Sequence, residues 1–357
     1  MRKTSLLALL LLVTVSFGIV GGCNNNNGGS NDGGGVGAPA PDPQFNLQLA
    51  IELGELALVA YEQRIQCIND GKGAITVPSP YQLEEVIFQG VSSFFNSTCK
   101  DDSAVIPLAF IATKDDNIYV SFRGTANFTD AITDLAAIQV LYNFVPTTGK
   151  VSGGFQGAYT GTDDFPIESA ILSKVDELAM TGTFNNLYIT GHSLGAALAF
   201  LAFPDFSQNV SNIDSVTMYN FAGPAAGDSA WVTTYEDEYA TNRTSFRIVN
   251  KNDLVPMLPP LGLDCVDFSY FHVDNKFEIE FGVVLPPLPD FSKDVSNGIC
   301  DLGSIGGQLL TYGLNNSDNI LTDHSMCSYY QTLCNMSSDP SSCSGGAIGC
   351  DNGDANP

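Results

Sequence analysis

The sequence predicts an α/β fold, with a mostly parallel central sheet and helices on both of its faces. Three observations point there. Short β-rich runs alternate with helical ones along the chain, the pattern made by parallel strands joined through crossover helices. No repeat of fixed period and no linker interrupts the chain after about Pro43. A Gly-x-Ser-x-Gly stretch, Gly191 to Gly195, falls between a strand and a helix. Composition agrees with a folded chain: 44% of residues are apolar and only 15% charged. With 39 acidic and 14 basic side chains the formal charge is −25, which excludes nucleic acid as a partner, since phosphate binding needs a basic stripe.

The N-terminus reads as an address. Met1 to Thr4 form a short basic start, and the fifteen mostly apolar residues from Leu6 to Val20 are too few for a comfortable bilayer span of about 20. Residues 1–22 are therefore expected to be an export signal. Asn24 to Asn27 and the Gly/Ser-rich run up to Gly37 cannot build a core, so 23–43 is expected to be a flexible tether and 44–357 a single domain with a Cys-rich tail. Val20-Gly21-Gly22-Cys23 resembles the lipobox of bacterial lipoproteins, which implies a lipidated Cys23 at the mature N-terminus. The expected location is then a bacterial membrane, lipid-anchored and facing outside the cytoplasm, or secretion if Cys23 stays unmodified. The other cysteines, Cys67, Cys99, Cys265, Cys300, Cys327, Cys334, Cys343 and Cys350, are even in number and contain no CxxC pair. In an exported chain this favours disulfides over a metal site, with connectivity left open. Six Asn-x-Ser/Thr sequons, at Asn96, Asn127, Asn209, Asn242, Asn315 and Asn335, matter only on a eukaryotic secretory route.

Within the body, Asn46 to Ile65 has helical apolar spacing. Ile106 to Ala112 and Asn117 to Phe122 read as strands, and Asp164 to Met180 as an amphipathic helix. Leu187 to Thr190 is a strand and Leu194 to Phe203 a nearly all-apolar helix. Val216 to Phe221 and Phe246 to Asn250 are further strands, with helical character between them around Trp231 to Tyr239.

Gly191, His192, Ser193, Leu194, Gly195 has the form of a nucleophile elbow: a serine in a tight strand-to-helix turn, flanked by glycines where any Cβ would hit a neighbour. The helix that follows points its N-terminus, with free N–H groups, at a developing oxyanion. Only three histidines are available as a base. His192 adjoins Ser193, so its ring should project away from the hydroxyl. His272 lies in an alternating run, Tyr270 to Phe281, and reads as a strand residue. His324, in a polar segment beyond the last strand candidates, is the expected base, with His272 second. For the orienting acid, Asp253 lies directly beyond the C-terminal end of a strand, where open α/β sheets build their sites. Asp214 precedes its strand and lies at the wrong edge, and Asp264 is a weaker alternative. Ser193, Asp253 and His324 are thus expected to form the catalytic triad.

With these residues in hand, the chain resembles the class 3 (fungal-type) lipases of the α/β-hydrolase superfamily over about Asn117 to Tyr329. Ser121-Phe122-Arg123-Gly124-Thr125 resembles the family's FRGS/T block, followed by Asp134 and Leu135. Gly154 and Phe155 resemble its HxGF block, with Ser152 in place of the usual histidine. Gly191 to Gly195 has the family's GHSLG form, Asn250, Asp253, Val255 and Pro256 match its acid segment, and Phe271-His272-Val273 resembles a strand preceding the catalytic histidine. The resemblance implies an α/β-hydrolase fold and an oxyanion hole made of Thr125 and the backbone N–H of Leu194. It also implies structural roles for Arg123, in an ion pair bracing its loop, and for Asp134, and a lid from Ala126 to about Leu135, with Ala131 where the family often has tryptophan. The 71 residues between Asp253 and His324, with Pro259-Pro260, Pro286-Pro287 and a Cys265/Cys300 pair, look like an elaborated loop near the acyl site.

The function implied is a serine hydrolase cleaving acylglycerol esters through an acyl-enzyme, with no cofactor and no metal. Two alternatives stay open: an esterase on phospholipid or feruloyl esters, and a non-catalytic anchored lipid-binding protein.

Overall fold

The computed structural model describes residues 44–70, 75–90, 105–125, 139–240, 244–258, 270–286, 295–296, 299–300, 308, 311–312, 315–339, 343 and 350. Outside the described residues lie the export signal, Cys23 and the tether, the lid stretch with Asp134, and Asp264, Cys99 and Cys265.

Seven strands form the central sheet: β1 (Gln82–Gly90), β2 (Val105–Lys114), β3 (Asn117–Phe122), β6 (Asn186–His192), β7 (Ser215–Phe221), β8 (Ser245–Asn250) and β9 (Lys276–Ile279), in that order across it. β1–β2–β3 is an antiparallel meander, and β3, β6, β7, β8 and β9 run parallel. A two-stranded ribbon, β4 (Gln139–Leu141) with β5 (Lys150–Ser152), lies beside the main sheet.

The helices divide between the two faces because their apolar sides do. α1 (Leu47–Asp70) buries Ile51, Leu53, Leu56, Val59 and Ala60 over β2, β3, β6 and β7. The opposite face carries α2 (Gly153–Thr160), α3 (Glu168–Ala179) and α4 (Leu194–Asn209), joined beyond β7 by α5 (Ser229–Thr234) and one π-helical turn, Tyr235–Tyr239. α4 is buried on every side from Leu194 to Phe206, as its all-apolar composition requires. After β9 come α6 (Ser317–Asp323) and α7 (Met326–Met336), the latter packed on α1.

The predicted elements are present with shifted ends. The helix expected from Asp164 starts at Glu168 because Pro166 and Gly161 close a small bridged turn before it. The alternating run expected over Tyr270 to Phe281 forms a strand only at β9, apart from a single bridge of Phe271 to Gly227, so His272 lies outside the strand. β1 carries no clean alternation because its register with β2 slips at Leu83/Glu85 and again at Ile87/Phe88.

Register fixes where a site can form. Phe122 pairs with Gly191, His192 with Phe221, Phe221 with Ile248 and Asn250 with Ile279, so the C-terminal ends of β3, β6, β7, β8 and β9 make one edge. The tail is held by two disulfides, Cys327–Cys350 and Cys334–Cys343, which clasp it to α7. The even-cysteine reading is borne out for these four.

Candidate active site

At the edge of β6 the chain reverses sharply from strand to helix. Ser193 sits at φ 59°, ψ −121°, a conformation that costs a non-glycine residue about 1–3 kcal/mol. Its surroundings hold it there: its N–H donates to the Phe221 carbonyl at 3.0 Å, and its own carbonyl accepts from Ala196 and Ala197 at 3.0 and 3.2 Å. A Cβ on Gly191 would overlap the Gly195 carbonyl, and one on Gly195 would overlap that of Phe122. Strand, turn and helix therefore approach more closely than any other residue at either position allows.

The structure brings the three expected triad residues together. His324 Nε2 lies 2.8 Å from Ser193 Oγ, and His324 Nδ1 lies 2.8 Å from Asp253 Oδ2. All three side chains are buried. Asp253 is placed by the turn that ends β8: its N–H donates to the Asn250 carbonyl at 3.0 Å, and its Oδ1 accepts from Val255 N–H at 2.9 Å. His324 ends α6, where its N–H donates to the Ile320 carbonyl at 3.0 Å.

Three residues that sequence reasoning did not single out complete the frame. Tyr329, fully buried on α7, donates its hydroxyl to Asp253 Oδ2 at 2.8 Å and accepts from Asn250 N–H at 2.8 Å. Tyr61 of α1 lies with its hydroxyl 2.8 Å from His192 Nδ1. Asn250, known from the sequence only as part of the acid segment, donates Nδ2 to the Asp323 carbonyl at 3.0 Å, and its Oδ1 accepts from Phe281 N–H at 3.2 Å. The sequence signal for Tyr61 and Tyr329 is weak, because a tyrosine at helical spacing is ordinarily read as core.

His192 behaves as its adjacency predicted: the ring leaves the hydroxyl and lies 2.8 Å, through Nε2, from the His324 carbonyl oxygen. Burial, with His324 beside it, holds its pKa well below the ordinary imidazole range. His272 stands apart from the triad, with Nε2 donating to the Pro256 carbonyl. Burial and then Arg247 push its pKa down to about 3. Thr125 and Leu194, the expected oxyanion donors, are both buried just beyond the register-paired ends of β3 and β6. Ser152, which stands where histidine was expected, caps α2: its Oγ accepts from Phe155 N–H at 3.4 Å. Among the described residues no cluster of three His, Cys, Asp or Glu side chains is close enough to hold a metal ion.

A parallel sheet whose C-terminal edge presents a strained serine elbow, an imidazole and a carboxylate in line defines an α/β-hydrolase-fold protein. Residues 119–263 match the model of the family described as lipase (class 3). The chain is 30% identical over 213 residues to a lipase of Rhizopus niveus, covering 57% of this chain and 49% of that protein. It is 28% identical over 163 residues to the chloroplastic phospholipase A1-Igamma3 of Arabidopsis thaliana, covering 40% and 30%. The chain thus spans about half the length of the curated lipases it matches. Among solved structures, the Lip2 lipase of Yarrowia lipolytica superposes with a TM-score of 0.51 at 19% identity, over 79% of this chain and 94% of that one, a likeness of fold.

Proposed function

We propose that the protein hydrolyses carboxylic esters of lipids, acylglycerols first, through a serine-bound acyl-enzyme. The observation that carries this reading is the continuous line from Ser193 Oγ through His324 to Asp253, with 2.8 Å at both links.

In this mechanism His324 Nε2 takes the Ser193 proton as Oγ attacks the ester carbonyl carbon. The carbonyl oxygen becomes an oxyanion, stabilised by Thr125 and the Leu194 N–H; one such donor contributes about 2.7–4 kcal/mol in comparable sites. Collapse of the tetrahedral intermediate breaks the ester C–O bond, and the imidazolium returns its proton to the departing alcohol. Water, deprotonated by His324 in turn, attacks the acyl-serine and releases the fatty acid. Asp253 orients the imidazole and stabilises its charged form throughout. No step requires a cofactor.

The names of the relatives support lipid esters as the substrate class, and the Arabidopsis phospholipase supports phospholipids as the second reading. Export is consistent with the N-terminal signal, and lipid anchorage at Cys23 with the lipobox-like Val20 to Cys23. Among the described residues no helix is long and apolar enough to cross a membrane. The test compares the full chain and Ser193→Ala on tributyrin, phosphatidylcholine and p-nitrophenyl esters. Tributyrin turnover is expected from the full chain, with a loss of at least about 10³-fold in the variant. Equal turnover by both proteins would leave only a binding role.

A further inference from the structure

Beyond β9 the chain runs along the active-site edge as a short strap, 281–286, whose backbone is fixed at several points. Phe281 N–H donates to Asn250 Oδ1 at 3.2 Å, and the Phe281 carbonyl accepts from Asn252 Nδ2 at 2.8 Å. Val283 N–H donates to Asp323 Oδ1 at 3.1 Å, and the Pro286 carbonyl accepts from the Tyr312 hydroxyl at 2.5 Å. Gly282 has φ 78°, and a Cβ there would overlap the Asp323 carboxylate, so the strap lies directly on that side chain.

Asp323 is fully buried and immediately precedes His324. Phe281 meets the ring of Tyr329, which in turn holds Asp253. Two of the strap's anchors, Asn250 and Asp323, are therefore also part of the frame around the imidazole and the carboxylate. Yet its outward side chains are apolar: Val283 is 50% exposed and Val284 72%. Met257, 45% exposed, closes the turn that carries Asp253. Single exposed apolar residues are ordinary on a protein surface. These are distinguished by position, beside the triad, and by a rigid backbone beneath them, in a chain whose formal charge is −25. Apolar side chains on a preorganised backbone bind without the cost of ordering a loop.

We infer that the 281–286 strap is a chain-selecting ledge of this site: Val283 and Val284 contact the aliphatic chain of the ester that Ser193 attacks, and Asp323 is the positioning residue that holds the ledge to His324. This rests on the hydrolase reading above and names the residues that set its substrate preference. Each methylene removed from water on the ledge is worth roughly fourfold in kcat/KM, so long chains gain and acetate gains nothing.

The experiment reads one ratio, kcat/KM for trioctanoin over kcat/KM for p-nitrophenyl acetate, using the full chain. Val284→Asp is expected to lower this ratio by about tenfold or more, while Met180→Asp, equally exposed at 72% but before the opposite end of β6, leaves it within about twofold. Asp323→Ala, which releases Val283, is expected to lower the ratio as well; Asp323→Asn keeps the acceptor oxygen and restores it. A ratio in Val284→Asp equal to that of Met180→Asp overturns the ledge. A Ser193→Ala protein that hydrolyses both substrates at the parental rate overturns the hydrolase reading instead, so the two failures are separable.

Discussion

The imidazole of His192 holds the backbone of His324, with Nε2 2.8 Å from its carbonyl oxygen. A carbonyl only accepts, so Nε2 carries the proton, and in a ring that burial keeps neutral Nδ1 accepts from the Tyr61 hydroxyl at 2.8 Å. Burial and these two bonds set charge and tautomer together, and the His192 ring braces the His324 backbone beside Ser193. His192→Phe removes both bonds and leaves the His324 loop without its brace. A fall in kcat of at least about tenfold and a lower unfolding temperature are expected, from the loss of about 1–3 kcal/mol of buried hydrogen bonding. Tyr61→Phe keeps the bond to His324 and should cost less in both measurements. An unchanged kcat in His192→Phe would remove the positioning role.

Tyr329 gives a second expectation. Its hydroxyl donates to Asp253 Oδ2 and receives the Asn250 N–H, both at 2.8 Å, so Phe at this position leaves a buried N–H without its acceptor and the carboxylate short of one donor. Tyr329→Phe is expected to lower kcat about tenfold, with KM nearly constant, and to cost about 1–3 kcal/mol of stability by chemical denaturation. A rise in KM at constant kcat would place Tyr329 in substrate binding and contradict the geometry.

That Ser193, His324 and Asp253 meet was legible because each is marked by local chemistry: glycines on either side of Ser193, a polar segment around His324, and a strand end before Asp253. The parallel strands β6 to β8 were equally legible, because strands covered on both faces are rich in apolar and aromatic residues. What failed to show was set by long-range packing. Tyr61 and Tyr329 lie 131 and 76 residues from the groups they bind, His192 and Asp253, and nothing local marks either as more than a core aromatic. β1, with its slipped register, lacks the alternation that would announce it.

Asp205 is a buried carboxylate with neutral partners, accepting from Tyr159 Oη and Asn209 Nδ2, both at 2.6 Å. Burial raises its pKa above the ordinary value of 3.8, because ionisation without a cation nearby is penalised. The folded state therefore holds this proton more tightly than the unfolded one. The stabilisation is complete below pH 3.8 and is lost as pH rises through the folded pKa. Asp205→Asn, permanently neutral, escapes that loss. Relative to the parent it should gain stability between pH 3.5 and pH 7, read from denaturant unfolding at both values. Any constant cost of the amide cancels in this difference, and a gain of the opposite sign would show that Asp205 is favourably ionised.

The two tail disulfides should contribute unequally, because they close loops of different length. Cys327–Cys350 spans 23 residues and Cys334–Cys343 spans 9, so loop-closure entropy assigns about 3.4 and about 2.6 kcal/mol respectively. Position widens the gap. Cys327 is buried at the first turn of α7, three residues beyond His324, whereas Cys334 lies in the last turn of that helix. Replacing Cys327 and Cys350 together by serine is expected to lower the unfolding temperature more than the Cys334/Cys343 double replacement. It should also reduce kcat, since Tyr329 sits on the turn it loosens. The 334/343 pair should leave kcat within about twofold, because it closes at the end of α7 away from His324. Equal losses of stability and activity from the two pairs would mean that the tail folds as one unit, with no special hold on the start of α7.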